Sequence, residues 1–188
     1  MDATLNSSRE RVEIQLSAKV ARPASLAKAA PPAATTERAC EGWHDLLMNA
    51  TCEVFEVMVG STLGRVTGRV PKVVADFTAM VGMAGSLCGM LSLRGPSESA
   101  KRIAANMLGV DDVSIGASVL DAFGEVCNMI AGSFKSRIPA VADGCSLSVP
   151  TVISGRDYSL HSLADGARLE VILNFEGSPI SVTLDLHS

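Results

Sequence analysis

Glu125 and Asn128 stand three positions apart in a stretch of helical apolar periodicity, a spacing that makes two side chains neighbours on one helix surface. The carboxylate carries charge and accepts hydrogen bonds. The carboxamide accepts through its oxygen and donates through its nitrogen. Together they put a charged acceptor and a donor–acceptor group side by side on the solvent face of one helix. The plainer alternative is a solvated polar face, which nearly every surface helix carries.

The helix is written in the residues around the pair. Leu120, Phe123, Cys127, Ile130 and Phe134 follow one another at intervals of three and four, one apolar stripe that can dock on a sheet. Asp121, Glu125, Asn128, Gly132 and Lys135 fall on nearly the opposite side. The pattern predicts a helix from about Ser114 to Arg137, stopped before Pro139. Gly124 and Gly132 are expected to allow close backbone approach.

A second segment has the same design. Glu53-Val-Phe-Glu-Val-Met-Val-Gly-Ser61 aligns without a gap with Glu125-Val-Cys-Asn-Met-Ile-Ala-Gly-Ser133, at an offset of 72 residues. Asn49 then stands against Asp121, Glu53 against Glu125, Glu56 against Asn128 and Gly60 against Gly132. This suggests an internal duplication carried on two helices. Only the second copy has the carboxamide.

The first of these helices is expected over about Trp43–Val59, with Leu46, Leu47, Ala50, Val54, Val57 and Met58 on one broad face. Strand-like runs follow at Arg65–Val70, Phe77–Ala84 and Leu87–Leu93. Ser97 is the expected N-cap of another helix that ends at Gly109. After the long helix the chain reads as β: Ser146–Ile153, Tyr158–Leu163, Arg168–Asn174 and Ile180–Leu186. Asp165-Gly166 and Gly177-Ser178-Pro179 mark the turns between the last strands. Helices before and between two sets of strands argue for an α+β fold, a sheet layered against helices. Residues 1–40 read as a flexible or disordered tail, Ala-, Pro- and Thr-rich from Pro23 to Thr36, and residues 41–188 as the domain. Within the tail, Val12, Ile14, Leu16, Ala18 and Val20 alternate with mostly polar residues, a strand-like period.

Composition narrows the function. Of the 188 residues 47% are hydrophobic and 19% charged, enough for a sizeable core, and with 4% aromatics that core must be mainly aliphatic. The net charge of −4 and the lack of a Lys/Arg-rich block argue against a nucleic-acid partner. Cys40, Cys52, Cys88, Cys127 and Cys145 form no Cys-x-x-Cys pair and read as reduced thiols. His44, His161 and His187 show no metal-ligand spacing, so no bound metal is expected. Phe77–Leu93 is an uncharged run of 17 residues, but its glycines suit two buried strands and a turn better than a membrane span. The N-terminus lacks the apolar stretch of a signal peptide, and the chain is expected to be cytoplasmic, without a membrane partner.

The motif Asp121-x-x-x-Glu125-x-x-Asn128, followed 22 positions on by Pro150, resembles the signature of the CheX/CheC/FliY chemotaxis phosphatases. Ala122-Phe-Gly-Glu-Val-Cys-Asn-Met-Ile-Ala-Gly132 and Pro150-Thr-Val-Ile-Ser-Gly-Arg-Asp157 are similar to CheX in particular. The resemblance spans roughly Trp43 to the C-terminus. It implies a layered sheet with two long helices related by a pseudo-repeat, in accord with the offset above.

It also implies a function: hydrolysis of the aspartyl-phosphate of a CheY-like response-regulator receiver. In that role Asn128 orients the attacking water and Glu125 anchors the helix to a receiver lysine. Asp121 supports Glu125 or touches the partner, and Pro150 sets the start of a strand near the site. No cofactor is expected in this chain; the Mg2+ belongs to the receiver. Some relatives have a Glu/Asn pair on both helices, whereas Glu56 here implies one active site per chain. A homodimer joined through sheet edges is implied as well. The alternatives are a non-catalytic receiver-binding or flagellar-switch module of the same fold, and an assembly protein driven by its sheet edges.

Overall fold

In the computed structural model, which describes residues 42–66, 71–156 and 158–187, the uncharged run predicted to fold as two strands does so. Strands β2 (Phe77–Gly85) and β3 (Gly89–Gly95) pair antiparallel from Phe77↔Gly95 to Met83↔Gly89. No helix among the described residues is long and apolar enough to cross a membrane. The tail read over residues 1–40, with its alternating segment, lies outside the described residues, as does the end of the run Arg65–Val70.

The other elements are α1 (Trp43–Val54), which continues as a π-helical turn (Phe55–Val59), β1 (Gly64–Arg65), α2 (Ser97–Leu108), α3 (Ala117–Ser136) and the short α4 (Pro139–Ala142). Strands β4 (Cys145–Leu147), β5 (Thr151–Ser154), β6 (Arg168–Phe175) and β7 (Ser178–Leu186) complete the domain. All strand pairs are antiparallel, in the order β1-β6-β7-β3-β2-β4, with β5 also paired to β2. Helix α3 packs against both α1 and α2 and covers β2 to β5, while α1 reaches β6. The expected α+β layering, with two long helices on one sheet, is what forms.

The apolar stripe of α3 is the keel of the core. Phe123, Cys127, Ile130 and Phe134 are fully buried. Phe123 meets Phe77 of β2 edge-on at 5.8 Å between ring centres, and Phe134 meets Trp43 of α1 at 5.9 Å. Each large apolar side chain so buried contributes about 2 kcal/mol. Cys127 is sealed inside this layer, and burial pushes its thiol up to about 12, so it stays protonated.

Four local expectations are corrected. Ser97 is the first residue of α2, not its cap; the cap comes from Asp76, whose Oδ2 accepts from the Ser97 amide (3.1 Å) and hydroxyl (2.8 Å). The run Ser146–Ile153 is two strands, interrupted at residues 148–150. Tyr158–Leu163 makes no strand, because the adjoining edge of β2 is already taken by β5; Tyr158 ties instead to Thr78 through a 2.6 Å hydroxyl–hydroxyl bond, and Leu163 is left exposed. The last hairpin turns on Glu176-Gly177 (φ 48° and 90°), with Ser178 and Pro179 already in β7. Two successive positive φ values give the turn the twist that suits a two-residue hairpin. Glu176 tolerates its φ because its carboxylate accepts from Arg102 Nε (2.8 Å), Ser61 Oγ (3.3 Å) and Asn106 Nδ2 (3.4 Å).

The amide and hydroxyl of Ser97, followed by the guanidinium of Arg156, hold the Asp76 carboxyl below the usual carboxylate range. A carboxyl with a depressed folded-state pKa stabilises the fold above its unfolded value, about 3.9 for Asp, and loses that contribution as pH falls towards the folded value. Asp76→Ala should therefore cost about 1 kcal/mol in urea unfolding at pH 7, and the gap from wild type should close as pH drops below about 4. Under native conditions iodoacetamide should label the exposed Cys88 and leave Cys127 unmodified until the protein is denatured, as read by peptide mass spectrometry.

Candidate functional site

Burying the stripe fixes the rotation of α3 and so decides what the helix shows outward. Asp121 and Glu125 are exposed and Asn128 is partly exposed, all on the side away from the sheet. Among the described residues, none of these three side chains makes a hydrogen bond or ion pair. Lys135, expected on the same face, is drawn in instead: its ammonium donates to Cys145 O (2.6 Å) and Ala142 O (3.2 Å), tying the end of α3 to the start of β4.

Pro150 comes to the pair from the other side. A Cβ built on Gly124 would lie 3.4 Å from Pro150 Cβ and 3.1 Å from Val152 Cγ2, so the missing side chain lets the β4–β5 edge press on α3 beside Glu125. Pro150 immediately precedes β5, the strand-starting position expected of it. Gly132 differs: among the described residues nothing lies within 4 Å of where its Cβ would be, so the expectation of close approach there is corrected.

The duplicated segment shows what the free pair is not. Glu53, the counterpart of Glu125, is ion-paired to Arg137 and accepts from Ser133 Oγ at 3.2 Å. Glu56, the counterpart of Asn128, lies exposed in the π-helical turn, where the matching stretch of α3 is regular α-helix. Gly60 ends that turn at φ 67°, whereas Gly132 sits within its helix. One sequence pattern has become two local geometries, only one of which presents an unengaged carboxylate beside a carboxamide. The π-helical turn was not legible in the sequence, and nor was Arg137 as the partner of Glu53.

The surroundings restrict the chemistry. Cys127, next to Asn128, is a neutral buried thiol directed at Ala79 O (3.5 Å), not a nucleophile facing solvent. Two clefts of about 350 and 340 Å3 open elsewhere, one lined by Lys101, Arg102, Asp111 and Glu176, the other by His44, Met48, Arg65 and Glu170. Neither includes Asp121, Glu125, Asn128 or Pro150. A small substrate needs a concave pocket, so side chains raised on a helix surface suit a protein partner better.

Comparison with known proteins gives this arrangement a lineage. The family profile described as "Chemotaxis phosphatase CheX" matches residues 77–174, a span that contains Asp121, Glu125, Asn128 and Pro150. The protein named CheY-P phosphatase CheX from Thermotoga maritima is 31% identical over 117 residues, covering 60% of this chain and 70% of the relative. Among solved structures, the chemotaxis protein CheX from Desulfovibrio desulfuricans superposes with a TM-score of 0.66 at 24% identity, over 77% of this chain and 99% of that one. The CheX of a CheX–CheY–BeF3–Mg2+ complex from Borrelia burgdorferi superposes with the same score at 20% identity, over 78% of this chain and 98% of the other. These structural likenesses carry the fold. The profile match and the Thermotoga relative show that this chain belongs to the CheX family of chemotaxis phosphatases.

Proposed function

We propose that this chain hydrolyses the aspartyl-phosphate of a CheY-like response-regulator receiver. The observation that carries the reading is the unengaged Glu125–Asn128 pair, raised on a helix whose rotation the core fixes, within the matched region. The Thermotoga relative is named for CheY-P, and the Borrelia CheX structure holds CheY with BeF3 and Mg2+; both support the choice of partner.

An acyl phosphate is already activated, so hydrolysis needs a water placed in line with phosphorus more than it needs a new nucleophile. The Asn128 carboxamide can accept from that water and donate to a neighbouring oxygen, holding it in place without taking its proton. Glu125, without a partner among the described residues, is free to pair with a cation of the receiver and seat α3 across the phosphorylation cleft. Asp121, one turn earlier, reinforces that seating, and Pro150 holds the sheet edge against the same turn. The receiver's own Mg2+ would offset charge on the phosphoryl oxygens. With Glu56 in place of an amide and Glu53 bound to Arg137, one such site per chain is expected. A cytoplasmic location and a homodimer formed through sheet edges complete the proposal.

The test is the rate of phosphate loss from receivers of the same genome, phosphorylated with acetyl phosphate. The intact protein should speed loss from at least one receiver, and Asn128→Ala should remove about a hundredfold of that gain, or roughly 2.7 kcal/mol of barrier. Glu125→Ala should chiefly raise KM. An Asn128→Ala protein as fast as wild type would remove the amide from the mechanism.

A further inference from the structure

The edge strand facing the site carries one residue more than its partner needs. Met83 pairs with Leu147 and Met80 with Thr151, so two residues, Val149 and Pro150, stand opposite the single residue Val81. This is a β-bulge, a feature that re-aims side chains at sheet edges. It is pinned from both sides. Ser148 N donates to Gly82 O (2.9 Å) and Ser148 Oγ accepts from Gly82 N (2.9 Å), while Pro150 lies against Gly124 of α3. What the bulge puts outside is Val149, 85% exposed.

Its position along α3 follows from two anchor points. Lys135 reaches Cys145 O, and Gly124 meets Pro150 and Val152, so α3 and the edge run in opposite directions. Asn128 lies one turn beyond Gly124 towards that C-terminal anchor, about 6 Å along the axis at 1.5 Å per residue. Asn128 is four of the eleven residues from Gly124 to Lys135, and the edge covers the same span from about Thr151 to Cys145, so the matching edge position is about residue 149. The exposed valine is therefore level with the amide. A bulge that only blunts the edge is served by a charged or polar residue, whereas this one holds a β-branched apolar side chain out on a pinned backbone beside the Glu125–Asn128 pair.

We propose that Val149 is a docking residue for the receiver, making an apolar contact beside the phosphoryl-aspartate while Glu125 makes the charged one. This rests on the function proposed above and is continuous with its site: one partner would cover helix and bulge together.

The test compares Val149→Thr, which keeps the shape and makes it polar, with Val149→Ala, which removes it. Both are measured against the receiver that wild type dephosphorylates fastest, with its beryllofluoride-activated form used for Kd and Asn128→Ala run alongside. Both variants should weaken Kd and raise KM by about tenfold, with kcat within twofold of wild type and unfolding unchanged. Unchanged Kd and KM in both variants, with Asn128→Ala inactive in the same assay, would overturn the docking role and leave the phosphatase reading standing. A fall in kcat at unchanged Kd would overturn it too. A wild-type protein that neither binds nor dephosphorylates any receiver would overturn both.

Discussion

The burial of one apolar stripe governs the rest of the molecule. Phe123, Cys127, Ile130 and Phe134 have no exposed alternative that does not cost several kcal/mol, so α3 can sit on the sheet in only one rotation. The far side of the helix is then set: Asp121, Glu125 and Asn128 face outward because the residues interleaved with them cannot. The polar contacts trim this arrangement and do not create it. The half-exposed Glu53–Arg137 pair is worth about 1 kcal/mol or less, against the sum of the aromatic and aliphatic burials beneath it.

The same constraint explains how an internal duplication yields two different surfaces. Both long helices bury a stripe and show acids, yet α1 loosens into a π-helical turn where α3 stays regular. Arg137, just past the end of α3, reaches back to Glu53 and occupies the carboxylate of the first copy. Among the described residues the second copy has no such partner, and opposite it the sheet edge brings Pro150 against Gly124 in place of a side chain. Rigidity on one side and an open polar pair on the other suit the proposed action on another protein's phosphoryl group.

Much of this was legible in the residues because burial writes itself as periodicity. The stripe of α3, the buried hairpin of Phe77 to Leu93, the strands of the C-terminal half and the offset repeat all carried a period that survives in the structure. The Glu125–Asn128 face followed from the stripe, since it is the opposite side of the same helix. What failed was information held by a partner distant in sequence. Ser97 looked like a cap because nothing local showed that Asp76 would reach it. Tyr158–Leu163 reads as a strand between turn residues, but β5 fills the edge it would need. Lys135 read as a solvent-facing cation until carbonyls of α4 and β4 came within reach. The bulge at Val149-Pro150 appears only when the two registers along β2 are compared, a relation no single segment contains.

The central claim is that a core-locked helix aims the Asn128 amide at water beside phosphorus in another protein. A crystal structure of this chain with a beryllofluoride- and Mg2+-loaded receiver tests it most directly. The account predicts α3 lying across the phosphorylation cleft, with the Asn128 amide within hydrogen-bond reach of a water in line with beryllium and Glu125 paired to a receiver cation. A complex in which the receiver binds another face, leaving Glu125 and Asn128 in bulk solvent, would contradict it.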